Sequence, residues 1–165
     1  LDIYLASRCD FCLSSNTGYD GLPQLFRKPI LIVNMVPVGY CRTWAKDSLI
    51  IFKKYIDNST HKILKFSEII ERKAHFFTSS DEFENAGIRL KENTAEEIRD
   101  VSLEMIRLLN GDMFYTIKDI DIQNKFWHKF KEFYLNPGRK TKTLHGPLNA
   151  KIGMSYLVNN QEWLY

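Results

Sequence analysis

The run Ile30-Leu31-Ile32-Val33-Asn34-Met35, opened by Pro29, constrains this chain more than any other segment. It is β-branched and apolar without a polar alternation, so it cannot be a strand with one wet face. It reads as a strand covered on both sides, as in a parallel sheet under helices. What precedes it is a second, shorter apolar strand (about 9–14), a polar turn Ser15-Asn16-Thr17-Gly18, and a short helix (about 19–26). In open α/β sheets, ligands sit at the carboxyl ends of strands, where such turns gather backbone N–H groups. A helix starting just after Thr17 and Gly18 would turn those donors, and its positive dipole end, toward an anion. The expectation is a phosphate-sized site on this turn.

The rest of the chain alternates in the same way. Residues 36–48 form a loop punctuated by Pro37 and Gly39, with an amphipathic face of Tyr40, Arg42, Trp44 and Lys46. Residues 49–52 (LIIF) read as a short strand, and Asp57-Asn58-Ser59-Thr60 as a polar turn. Phe66-Ser67-Glu68-Ile69-Ile70 starts a helix with Ser67 as its cap. Residues 88–91 (IRLK) make an edge strand. Thr94-Ala95-Glu96-Glu97 is a capping box that opens a helix through Ile98, Val101, Met105, Leu108 and Leu109, ended by Gly111. Ile122, Phe126, Phe130 and Phe133 predict a helix over about 121–134, broken by Asn136-Pro137-Gly138, and a last helix spans about 149–160. Strands alternating with helices point to an α/β sandwich.

At 165 residues the chain suits one domain, able to bury roughly two-thirds of its unfolded surface. A formal charge of +3 does not demand nucleic acid, and suits small anions or an anionic surface. No apolar run reaches the roughly 20 residues of a membrane span. The chain starts at Leu1, and residues 2–6 look like the end of a helix, which suggests the C-terminal piece of a longer protein or a trimmed chain. Cys9, Cys12 and Cys41 do not form a disulfide framework, which favours a reducing cytosol. Cys9 and Cys12 lack a second pair at zinc spacing and, within a strand, would face opposite sides, so they read as inert and buried.

Three segments carry a family resemblance. Ser15-Asn16-Thr17-Gly18, Phe26-Arg27-Lys28-Pro29 and Asn34-Met35-Val36-Pro37 follow the order of the donor-site segment in bacterial GT-B-fold glycosyltransferases. More narrowly, they resemble a family of cell-envelope or capsular polysaccharide glycosyltransferases. Glu92-Asn93-Thr94-Ala95-Glu96-Glu97-Ile98 is similar to a helix start late in many GT-B chains. The ending His145-Gly146, Ala150-Lys151-Ile152-Gly153, Tyr156-Leu157 and Trp163-Leu164 is similar to that family's C-terminus.

The resemblance implies the C-terminal half of a GT-B fold, a Rossmann-like three-layer sandwich with a mostly parallel sheet. It implies a nucleotide-sugar donor, a glycan or lipid-linked acceptor, and an N-terminal domain of the same protein as partner. It implies a cytoplasmic location, at most peripheral at the inner face of the membrane, and no metal or other cofactor. The fragment alone would turn over little or nothing. Two other readings remain beside it: a non-catalytic partner-binding module, and a sugar-nucleotide epimerase of the same fold.

Residue chemistry fits donor binding. The Ser15 and Thr17 hydroxyls and the turn amides could hold a diphosphate without a Walker lysine, and no P-loop or dinucleotide glycine pattern is present. Asn34, Arg42 and His145 are the further donor-cleft candidates. Asn34 could instead anchor a loop, and Arg42 and Lys46 could neutralise diphosphate charge. Tyr40 and Trp44 read as cover for the core, with stacking on a base or sugar as the alternative. Asp119-Ile120-Asp121 has metal-motif spacing but sits at a helix start, where capping explains it. Arg139-Lys140-Thr141-Lys142 reads as a solvated turn, with contact to lipid headgroups or a polyanionic acceptor as the alternative. His61, His75 and His128 look like surface positions, and no residue stands out as a general base.

Overall fold

The computed structural model describes residues 1–134 and 147–164. Asn136-Pro137-Gly138, the basic loop Arg139–Lys142 and His145 lie outside the described residues. The chain is a mixed α/β protein around a four-stranded, wholly parallel sheet of order β1-β2-β3-β6. Its strands are β1 (Cys12–Ser14), β2 (Ile30–Met35), β3 (Leu49–Phe52) and β6 (Lys151–Ile152). Because they are parallel, all four carboxyl ends lie along one edge.

The centre of that sheet is dry. Ile30, Leu31, Ile32 and Met35 of β2 and all four residues of β3 are buried, as the unbroken apolar runs require. Two long helices carry apolar stripes onto this core: α5 (Ala95–Asn110) with Val101 and Met105, and α6 (Ile117–Tyr134) with Phe126 and Phe130. Phe126 joins Phe52, Phe66 and Trp163 in an aromatic cluster with ring centroids 5.3–5.8 Å apart. Such rings bury large apolar area and interlock in tilted and edge-on contacts.

Several sequence expectations change. The first strand begins at Cys12, because residues 2–8 are helix α1 (Asp2–Arg8) and Cys9 is its C-cap, and Cys9 and Cys12, expected to be buried, are half-buried. The predicted helix at 19–26 divides into a 3-10 turn (Gly18–Asp20) and the five-residue α2 (Gly21–Leu25). Two further helices are α3 (Phe66–Glu71) and α4 (Ser80–Asn85). Ser67 does not cap α3: Lys65 stands at N-cap, and Glu68 Oε2 accepts from its N–H at 2.7 Å. The strand β5 (Ile88–Lys91) leaves the main sheet and pairs antiparallel with β4 (Lys54–Asp57), which the sequence reading missed.

At α6 the expectation was short by a turn. Thr116 and Asp119 exchange hydrogen bonds of 2.8–3.2 Å there, so Asp119 caps a helix that starts at Ile117. The predicted helix at 149–160 is two elements, β6 and the shorter α7 (Met154–Asn159), followed by a 3-10 turn at Gln161–Leu164. A two-residue strand has no period to read, so β6 has no signature in sequence. The Thr94 cap and the left-handed Gly111 (φ 76°) are as expected.

Candidate functional site

The residues predicted to bind an anion lie where the parallel sheet presents its carboxyl edge. β1 ends at Ser14, and Ser15–Thr17 turn the chain into the 3-10 turn. Asn16 takes φ 63° there, in the left-handed region that asparagine tolerates better than most residues. Ser15, Thr17 and Gly18 are exposed, and Asn16 is half-buried. The helical dipole expected behind them is weak, since α2 is a single short turn. What the turn offers is therefore its hydroxyls and backbone rather than a helix end.

Beneath the turn lies a charge that sequence reasoning missed. Asp20 is fully buried, and the only cation against it is Arg42, Nη1 to Oδ2 at 3.5 Å, among the described residues. Both Asp20 oxygens, Arg42 Nη1 and Asn16 Oδ1 are buried with no hydrogen-bond partner among the described residues. Buried polar groups are paired in the large majority of cases, so a concentration of such atoms on one loop pair is unusual. Asp20 was invisible in the sequence because an acid in the first turn of a helix reads as solvated dipole compensation.

The loop after β2 forms the neighbouring wall. It runs through a 3-10 turn at Val38–Tyr40 to Arg42. Val38 N donates to the buried Tyr55 hydroxyl at 3.2 Å, and burial pushes that phenol up, away from any role as a base. Cys41 is buried, its thiol pushed up by desolvation, which makes it a poor nucleophile. Tyr40 and Trp44, expected to cover the core, are exposed at 43% and 40% instead. Tyr40 meets Phe76 edge-on at 5.8 Å, and the neighbouring His75, expected at the surface, is buried.

Asn34 takes the loop-anchoring role of its two expected ones. Its φ is 54°, its N–H donates to Asn93 Oδ1, and its Oδ1 accepts from Asn93 N–H, both at 2.6 Å. Asn93 Nδ2 also donates to Phe52 O at 2.8 Å, so this pair ties the ends of β2 and β3 to the start of α5. Lys53 and Glu92 pair at 3.1 Å on the same edge. Ser15–Gly18 and Arg42 thus share one corner, through Asp20, while Asn34 holds the frame beside it.

Two cavities, of about 570 and 550 Å³, lie away from this corner. The first is bounded by α6 residues Asn124–Lys131 and Leu164, the second by Lys62–Lys65 and the segment 158–163. Neither is lined by Ser15–Gly18, Asn34 or Arg42. Among the described residues no group of three or more His, Cys, Asp or Glu is placed to hold a metal ion. No described helix is long and apolar enough to cross a membrane.

No protein-family model matches the chain, and neither a curated protein nor a solved structure does. The functional reading therefore stands on the residues themselves.

Proposed function

We propose that the chain is the nucleotide-sugar-binding half of a glycosyltransferase, a Rossmann-like domain of GT-B type acting in cell-envelope or capsular glycan synthesis. The observation that carries this reading is the corner after β1. Exposed Ser15 and Thr17 hydroxyls and the Gly18 backbone stand at the carboxyl edge of a parallel sheet, backed by a cation, Arg42, that is only loosely held. A departing nucleoside diphosphate needs donors fixed where its charge develops, and such a turn supplies them before the reaction starts. The exposed Tyr40 ring, on the loop that carries Arg42, is a surface on which a base can stack.

The chemistry assigned to this half is holding the leaving group. Ser15 and Thr17 donate O–H groups to phosphate oxygens, Arg42 offsets their charge, and Asn34 keeps the β2 and β3 ends in register. Deprotonation of the acceptor hydroxyl belongs to a second domain that faces this wall. The residues recruited are those of the family-like segment, Ser15-Asn16-Thr17-Gly18, followed by Asn34 and Arg42.

Calorimetric titration with UDP, GDP, CMP and their sugar conjugates tests the reading, on this chain and on the full-length polypeptide that carries it. Saturable binding of one nucleotide is expected. Thr17→Val, which keeps the shape and removes one donor to a charged group, should weaken that binding roughly tenfold. Silence of the full-length polypeptide toward the whole panel would sink the transferase reading.

A further inference from the structure

Asp20 has no evident reason to be an acid. It is wholly buried, and a buried carboxylate without hydrogen bonds is costly unless a cation compensates it. Among the described residues its compensation is one contact, Arg42 Nη1 at 3.5 Å, longer than a charge-assisted hydrogen bond. Elsewhere the fold treats buried carboxylates generously. Glu104 accepts from Met154 N–H at 2.8 Å and from the Tyr115 hydroxyl at 3.0 Å, and Asp57 accepts from Ser59 and Thr60 N–H and pairs with Arg72 at 2.6 Å. An asparagine at position 20 would fill the same space at lower cost, so the charge itself calls for an explanation.

The geometry of Arg42 supplies one. Its Nη1 is buried against Asp20, yet the side chain keeps 20% exposure, which belongs to its other atoms. A guanidinium has five N–H donors in a planar fork, so one nitrogen can be held from behind while the others face outward. The partner comes from the 3-10 turn that directly follows Ser15–Thr17, and Arg42 from the loop after β2. The contact therefore ties the cation to the chain segment that follows the hydroxyls of the turn.

We infer that Asp20 is a positioning residue, whose buried carboxylate aims Arg42 at the diphosphate of a nucleotide bound on the Ser15–Gly18 turn. The inference rests on the donor-site reading above. Asp20 does not touch the ligand, being closed off beneath the turn, and acts through the guanidinium alone. The long, unbonded contact suits that role, because it orients Arg42 without saturating it and leaves its charge to be completed by phosphate oxygens.

The test is a double-mutant cycle in the full-length polypeptide, comparing the parent with Asp20→Asn, Arg42→Ala and the double variant. Affinity is read for UDP, GDP, CMP and inorganic pyrophosphate, with uridine, guanosine and cytidine as uncharged controls. Asp20→Asn should weaken the phosphate-bearing ligands roughly tenfold and leave the bare nucleosides unchanged. The double variant should bind no more weakly than Arg42→Ala. If Arg42→Ala does not fold, with Asp20 left as an uncompensated buried charge, Asp20→Asn/Arg42→Met removes both charges and closes the cycle against Asp20→Asn. Parent-like phosphate binding by Asp20→Asn, or losses that multiply, would overturn the role of Asp20 while leaving the donor site intact. No binding by the parent would overturn both.

Discussion

The two ends of the carboxyl edge treat buried polar groups in opposite ways. At the β6 end most polar groups among the described residues are matched, the buried Ser155 hydroxyl excepted. Gln123 lies along β6 like a further strand, its Oε1 accepting from Ile152 N–H at 3.2 Å and its Nε2 donating to Ile152 O. Glu104 gathers the first N–H groups of α7, and Lys151 and Gly153 N–H groups donate to Ser48 and Ile50 carbonyls at 3.0 Å. At the β1 end, a carboxylate, an amide oxygen and a guanidinium nitrogen are buried without hydrogen bonds among the described residues. Satisfied networks specify one structure, whereas local rules are broken where function draws on the cost. The contrast sets the β6 end apart as the better-satisfied scaffold and leaves the β1 end as the place of the proposed site.

That contrast predicts that substitutions at the β6 end act on stability and leave nucleotide binding alone. The largest effect belongs to Gly153. A Cβ there would sit 2.7 Å from Val101 Cγ2 and 2.9 Å from Ile51 Cγ2. Both contacted methyls are attached at Cβ of β-branched, fully buried residues and cannot swing aside. Gly153→Ala should cost about 3 kcal/mol in chemical denaturation, at the upper end for overpacking. Gly153→Ala/Val101→Ala should recover part of it. A parent-like denaturation midpoint for Gly153→Ala would show that β6 and α5 are not locked together.

Gln123→Leu comes next. It keeps the bulk and leaves the Ile152 N–H and C=O, buried groups on a two-residue strand, without their outer partner. A loss of about 2 kcal/mol is expected, read as a lower denaturant midpoint with an unchanged slope. Nucleotide affinity of the folded variant should equal the parent's. A variant that keeps its stability but loses binding would invert the assignment of the two ends.

The sequence disclosed these ends unequally. β2, the Thr94 cap, the Gly111 stop and the turn after β1 were legible because each has a local cause: an unbroken apolar run, a capping box, a positive φ, a polar cluster between apolar runs. The same logic exposed Asp119 as a cap. β6 was not legible, since Lys151 and Ile152 are strand only because β3 and Gln123 flank them. β4 was hidden because its partner β5 lies more than thirty residues away. Of the candidate site, Ser15–Gly18 and Arg42 were found by residue type and place, but Asp20 was not. Burial of a charge is a property of the folded packing, and an acid after glycine and tyrosine carries no local mark of it. Asn34 was found with its role undecided, because its partner Asn93 is 59 residues on.

The smallest and most specific expectation concerns pH. Burial raises the Glu104 carboxyl above its ordinary 4.5, against the lowering effect of the Met154 N–H and the Tyr115 hydroxyl. A raised acid binds its proton more tightly folded than unfolded, so folding is favoured most below pH 4.5, and this contribution is lost as pH climbs through the folded value. Asp57 works the other way. The Ser59 hydroxyl, with Thr60 N–H and Arg72, holds it well below its ordinary range, so its stabilisation is present above pH 3.8 and fades on acidification. Glu104→Gln removes only the first slope. Melting temperatures of the parent and Glu104→Gln, followed upward from pH 4, should therefore move in favour of the variant. The nucleotide affinity of both should keep the same pH profile, because Glu104 caps α7 and does not face the Ser15–Gly18 turn. A binding profile that shifts with Glu104→Gln would mean that the two ends of the edge are coupled through β6 and β3, and the division between scaffold and site would have to be redrawn.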